Sequence, residues 1–139
     1  MDYEAGRVAL ATKIKQLADA WTAYTLVVEY DNRTVDPAAQ VNPYLCVSLD
    51  FKDGYQADLS ARPFHRALGV ISLEVVVKAG SGRKLADELL EYFVDALQMK
   101  DTMPPLRTRA AVPLTMLKDK EKNLARFPTA IPFWMDSAT

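Results

Sequence analysis

His65 and Cys46 are the only histidine and cysteine in 139 residues, so nucleophilic or zinc chemistry would have to run through them. A Ser-His-Asp or Cys-His site holds a base against an activated nucleophile. No Gly-x-Ser-x-Gly turn is present, and neither Cys46 nor Ser60 stands in a nucleophile's setting. His65, between Phe64 and Arg66, reads as an ordinary loop histidine. Cys46 lies in the apolar run Tyr44-Leu45-Cys46-Val47, the setting of a buried, unreactive thiol, and it has no partner for an intrachain disulfide. Zinc requires clustered Cys and His ligands, which the sequence lacks. Asp50 and Asp53 could be an acid pair, but Asp53-Gly54 is already accounted for as a turn signal. The sequence predicts no enzyme, no cofactor and no metal.

One further chemical option is an anion site. Gly80-Ser81-Gly82-Arg83-Lys84 places glycines before a helix start and cations within it, an arrangement able to cradle phosphate. It carries neither Gly-x-x-x-x-Gly-Lys-Ser/Thr nor Gly-x-Gly-x-x-Gly. Arg83 and Lys84 oppose the helix dipole, at an exposed-site cost of a few tenths of a kcal/mol. They could equally meet acidic residues of a neighbouring subunit. A small anion-binding α+β domain therefore stays open as an alternative.

With 17 Lys and Arg against 18 Asp and Glu, the net charge is −1, which excludes the overall basic excess of a sequence-independent nucleic-acid binder. Cations predominate locally between Lys100 and Arg126. The sub-stretch Lys118-Asp119-Lys120-Glu121-Lys122 alternates in sign, however, and reads as a solvated turn. Asp2 and Glu4 precede apolar residues at helical spacing, which argues against a signal peptide or a membrane span and for an intracellular protein. Hydrophobic residues at 50% and charged residues at 25% suit one ordinary domain over residues 1–139.

The positioning elements follow from periodicity. Val8, Ala11, Ile14, Leu17, Ala18 and Trp21 predict a helix over about residues 4–20. Thr25-Leu26-Val27-Val28-Glu29-Tyr30 predicts a strand, and the polar residues 31–43 a long exposed loop, a first candidate interaction element. Leu45, Val47, Leu49 and Phe51 alternate up to Asp53-Gly54, with Tyr55, Ala57 and Leu59 beyond, which predicts a hairpin turning at that dipeptide. After a break around Pro63, Ile71, Leu73, Val75 and Val77 alternate with Ser72, Glu74 and Lys78, so the long strand over residues 66–79 has one core face and one wet face. Ser81 could N-cap a second helix whose stripe is Leu85, Leu89, Phe93 and Leu97, stopped by Pro104-Pro105. Residues 108–117 and 124–134 look extended, and Pro113, Pro128 and Pro132 predict edge strands or arms there. The fold class is α+β, a mainly antiparallel sheet against two amphipathic helices.

In this order the chain resembles the tail-terminator, or tail-completion, proteins of long-tailed bacteriophages and prophages. The likeness is carried by the helix ending at Leu17 to Trp21, Val27-Val28-Glu29-Tyr30-Asp31-Asn32 and Pro43-Tyr44-Leu45-Cys46-Val47. It continues through Arg66-Ala67-Leu68-Gly69-Val70-Ile71, Val76-Val77-Lys78-Ala79-Gly80-Ser81-Gly82 and the closing Thr129-Ala130-Ile131-Pro132-Phe133. The resemblance implies a hexameric ring that caps the tail tube, ends its polymerisation and presents the docking surface for the head. Tail tube protein and a head-completion or connector protein are then the expected partners, with at most nonspecific DNA contact in the lumen and no membrane. The implied locations are the host cytoplasm during assembly and the virion tail; a neck or connector ring component is the alternative.

Candidate interface residues are Arg33 and Asp36 in the long loop, Arg62, Phe64 and Arg66 around Pro63, and Arg83 and Lys84 at the second helix. Aromatic and Arg side chains dominate contact energetics. Phe51 and Tyr55 read as core, since alternation puts each in register with an apolar face.

Overall fold

Alternation over residues 66–79 is realised as a 15-residue strand, Phe64–Lys78, against which the other elements are laid. The computed structural model describes residues 3–30, 40, 42–56, 64–78, 83–119 and 124–138, with the side chains of 53–56, 64, 65, 118, 119, 137 and 138 left aside. In chain order the elements are α1 (Tyr3–Ala20), β1 (Val28–Glu29), β2 (Tyr44–Gln56), β3 (Phe64–Lys78), α2 (Lys84–Leu97), β4 (Leu106–Thr108), β5 (Val112–Pro113), β6 (Leu117–Asp119) and β7 (Leu124–Ala138). One sheet results, ordered β1-β2-β3-β7-β4, with β5 and β6 also paired to β7. Only β1–β2 is parallel. Leu10 and Ile14 of α1 and Leu89 and Phe93 of α2 share one core with Leu73, Val75, Ile131 and Phe133, so both helices cover the same sheet face. The architecture is α+β, as the sequence predicts.

Residues 124–134 lie in the middle of the sheet, a correction to their expected place at an edge. β7 pairs with β3 without interruption from Lys78↔Leu124 to Phe64↔Ala138. The carbonyls of Pro128 and Pro132 accept from Leu114 N–H and Arg109 N–H, so both prolines aim their backbone edge, and their missing N–H, away from β3. On that side the ladder is broken into three short strands, and the breaks fall at the prolines: Pro132 between β4 and β5, Pro128 between β5 and β6. Proline removes a ladder bond on one side of a strand only.

The Asp53-Gly54 turn is also corrected. β2 runs straight through it, and the register against β3 steps from Phe51↔Gly69 to Gly54↔Ala67. Two residues, Lys52 and Asp53, thus oppose Leu68 alone, a β-bulge. Beside the bulge, Gly69 leaves the space that two rings fill. Its cross-strand neighbours Phe51 and Phe133 meet edge to face at 5.4 Å, and a Cβ there would stand 2.3 Å from the Asp50 carbonyl and 2.5 Å from Phe133.

Smaller corrections concern faces and ends. β1 spans two residues rather than six. The buried stripe of α1 is Gly6, Leu10 and Ile14, leaving Val8 and Ala11 outward. Gly6 lets the helix approach Met135, Leu106 and Phe51. In α2 the buried positions are Ala86, Leu89, Phe93 and Leu97, while Leu85 is exposed. The N-cap is Arg83 without a side-chain cap bond; Ser81 lies outside the described residues. The helix ends at Leu97, well before Pro104-Pro105, with Met99 two residues on in the left-handed region (φ 52°), and the buried Thr108 hydroxyl donates to the Leu97 carbonyl left open there.

Candidate assembly surface

The sheet face turned away from α1 and α2 is formed by Arg66, Leu68, Val70, Ser72, Glu74 and Val76 of β3 and their partners Asp136, Trp134, Pro132, Ala130, Pro128 and Arg126 of β7. It was expected to be wet; instead its centre is apolar and half-buried, at Leu68, Val70, Ala130 and Pro132. At one end Val76 is fully buried with Tyr44 and Leu124. The pairs Leu68↔Trp134 and Val70↔Pro132 put apolar groups side by side, and Arg66↔Asp136 closes that zone with a charged pair.

Both ends are fixed by ion pairs. Arg66 meets Asp136 in a two-pronged contact, Nε–Oδ1 2.7 Å and Nη2–Oδ2 2.8 Å. These hydrogen bonds hold the Asp136 carboxyl below its ordinary range against the opposing effect of burial, with the charges of Arg66 and Arg107 assisting. Trp134 beside them lies under two guanidinium groups, Arg109 at 5.1 Å and Arg66 at 5.9 Å from the ring centroid, within cation–π range. At the far end Arg126 donates to Glu74 at 2.6 Å, and that bond raises the Arg126 pKa.

Cys46 opposes Glu74 across β2–β3 and donates its S–H to Glu29 Oε2 at 3.0 Å. Burial first, then the Glu29 carboxylate, push the thiol well above its usual value. A thiol so raised is neutral and unreactive at pH 7, so this group ties β1 to β2. Among the described residues no three His, Cys, Asp or Glu side chains converge as metal ligands, and no helix is long and apolar enough to cross a membrane.

The sheet's two edges differ. On the β2 side β1 covers only Leu45 and Cys46. Beyond them, among the described residues, the outer edge of β2 faces a groove of about 630 Å³ walled by α1 and lined by Glu4, Arg7, Val8, Ala11, Ser48 and Asp50. The Arg7 guanidinium reaches the Leu49 carbonyl at 3.4 Å and lies 5.4 Å from the Phe51 ring centroid. On the opposite side β5, β6 and the residues between them present Val112, Leu114 and Leu117, each about half exposed.

The sequence-predicted interface residues do not form one site. Arg33, Asp36 and Arg62 lie outside the described residues. Phe64 opens β3 opposite Ala138, with its side chain left aside. Arg66 is in the strand as its alternation predicts, and Phe64 joins it rather than the break, because pairing with β7 extends to the strand's first residue. Arg83 and Lys84 stand at the other end of the sheet, where Arg83 covers the Phe127 ring at 5.0 Å and reaches Asp87 at 3.6 Å. Twelve residues of strand, roughly 40 Å at about 3.3 Å per residue, separate Arg66 from Lys78. Sequence reasoning missed Arg109, Trp134 and Asp136. The spacings Arg107-x-Arg109 and Trp134-x-Asp136 put each pair on one face of a strand, a legible signal once those segments are taken as paired strands.

No family model and no curated protein matches the chain. Solved structures do. One, which bears no functional name, aligns with TM-score 0.64 and 18% identity over 100% of this chain and 96% of its own. Another is a chain from the virion of a native gene transfer agent (GTA) particle, with TM-score 0.61 and 17% identity over 94% of this chain and 97% of its own. At such identities the likeness is one of fold, and it runs end to end.

Proposed function

We propose that this chain is a structural subunit of a phage-like virion, of the tail-terminator kind: it closes into a ring on the end of the tail tube, stops tube growth and offers the surface on which the head connector docks. The observation carrying this reading is the end-to-end likeness of fold to a chain of the gene transfer agent virion, 94% of this chain against 97% of that one. The order of elements that resembles tail terminators in the sequence agrees with it. The surface is also suited to protein contact. An apolar patch bounded by ion pairs, with Trp134 between Arg66 and Arg109, has the composition of an interface centre, where Trp and Arg carry most of the binding energy.

The test is light scattering coupled to size exclusion, with and without polymerising tube protein from the same genome, followed by microscopy of tube lengths. A mass of about six subunits, or a monomer that joins tube ends and limits their length, supports a terminator. A ring indifferent to tube ends would favour the neck or connector alternative, and a monomer or dimer indifferent to tubes would overturn both. Trp134→Ala is expected to weaken tube-end capture by roughly 2 kcal/mol, about thirtyfold, if this face meets the tube.

A further inference from the structure

We propose that copies of this chain associate head to tail like overlapping tiles, with Val112, Leu114 and Leu117 of one copy seated in the groove between α1 and β2 of the next. This contact rests on the ring reading above and specifies how its subunits meet.

The two surfaces belong to opposite edges of one sheet and to opposite sides of it. Val112 pairs with Ala130 and Leu117 with Arg126, and Leu114 donates its N–H to Pro128. Those partners lie on the face turned away from α1 and α2, so the three apolar side chains project from that face at 49%, 52% and 54% exposure. The groove is on the helix side of the other edge, beneath Val8 and Ala11 of α1. A projection below one edge and a recess above the other fit when two identical copies overlap in the same orientation. Such a contact is heterologous: repeated, it closes into a ring or runs on as a helix, and it never stops at a two-fold dimer.

Chemistry matches shape. Among the described residues the recess is apolar at Val8 and Ala11 and carries Glu4 and, at the strand edge, Asp50, while the one cation lining it, Arg7, is engaged by the Leu49 carbonyl and the Phe51 ring. The projecting edge has Arg107 and Arg109 and no acidic residue from Leu106 to Leu117. Opposite local charge favours this pairing and disfavours either edge meeting its own kind. Short, proline-broken edge strands do not template strand addition, so the seat is made by side chains, with the β2 edge as its floor.

Cross-linking tests the contact. Ala11→Cys and Leu114→Cys proteins are mixed and treated with a short bis-maleimide under conditions where scattering reports an assembled mass, free or on tube ends. Covalent dimers are expected from the mixture and from neither protein alone, and the double variant A11C/L114C should give a ladder of covalent multimers. An assembled mass without mixed cross-links, or cross-links within either single variant, overturns the contact and leaves the ring reading standing. No assembled mass in either condition removes both. As an independent arm, Leu114→Glu, at a half-exposed position, should keep the native far-ultraviolet circular dichroism and raise the protein concentration needed for assembly by about tenfold or more, equivalent to about 1.4 kcal/mol; assembly at unchanged concentration overturns the contact.

Discussion

Gly69→Ala is the most severe single-methyl change this fold offers. The added Cβ would lie 2.3 Å from the Asp50 carbonyl oxygen and 2.5–2.6 Å from the Phe133 ring, against ordinary carbon contacts of about 3.5–4.0 Å. Neither neighbour yields cheaply. Asp50 belongs to the backbone ladder of β2, and Phe133, 2% exposed, is held edge to face by Phe51. Overpacking a core costs typically about 1–3 kcal/mol, and two clashes on fixed groups place Gly69→Ala near 3 kcal/mol. At about 3–4 °C per kcal/mol for a chain of this length, Tm should fall by about 10 °C. Thermal unfolding followed by near-ultraviolet circular dichroism measures it. Phe133→Leu in the same chain should remove the ring clash but leave the backbone one, so the double variant should recover only part of its deficit relative to Phe133→Leu alone. A Gly69→Ala protein melting within about 2 °C of the parent would refute the reasoning, because the strands would then be looser at the bulge than the geometry requires.

Asp136→Asn should cost about 1 kcal/mol at pH 7, discounted for a pair whose side chains are a third exposed. Because the folded carboxyl titrates below its ordinary 3.8, its stabilisation is present above that value and lost as the pH falls through the folded pKa; the variant should therefore flatten the acid limb of stability against pH in urea unfolding. Leu89→Ala, at a fully buried position, should lose about 2–5 kcal/mol, whereas Leu85→Ser, at 42% exposure, should change stability by less than about 0.5 kcal/mol; equal losses would put the helix face elsewhere. The Cys46 thiol should resist Ellman's reagent at pH 8 in the folded protein and react in denaturant. Rapid labelling of the native chain would contradict its burial and its bond to Glu29.

What was legible in the sequence was periodicity. The alternation Ile71, Leu73, Val75, Val77 is buried as read, and so is the stripe Leu85, Leu89, Phe93, Leu97 apart from its first member, Leu85, where Ala86 turns inward instead. Positions tolerating two solutions were misjudged. Asp53-Gly54 suits a tight turn and a bulge equally, and the pairing of Gly54 with Ala67 of β3, thirteen residues on, decides for the bulge. Val8 and Ala11 lie on a helical stripe as plausible as Gly6, Leu10 and Ile14, until Gly6 is seen to let α1 sit down on Met135. Pro128 and Pro132 forbid a ladder on one side of a strand, and sequence alone does not say that the other side is used. The candidate surface was less legible still: Arg66 reaches Asp136 and Trp134 only through the β3–β7 register, across 70 positions of chain, and Arg109 arrives from the other side of β7 beside Pro132.

Those two prolines give the sheet a direction. A sheet with two receptive edges can add strands without limit, the route by which β proteins form fibrils. In this chain the missing donors of Pro128 and Pro132 cut the far side of β7 into pieces of two or three residues. That edge therefore offers an incoming strand no continuous ladder of its own. Among the described residues backbone-driven growth can begin only at β2, and a second copy arriving there brings a margin that cannot be extended in kind. Any lasting union must then be decided by side-chain fit, which is selective for partner and angle where hydrogen-bonded strand addition is not.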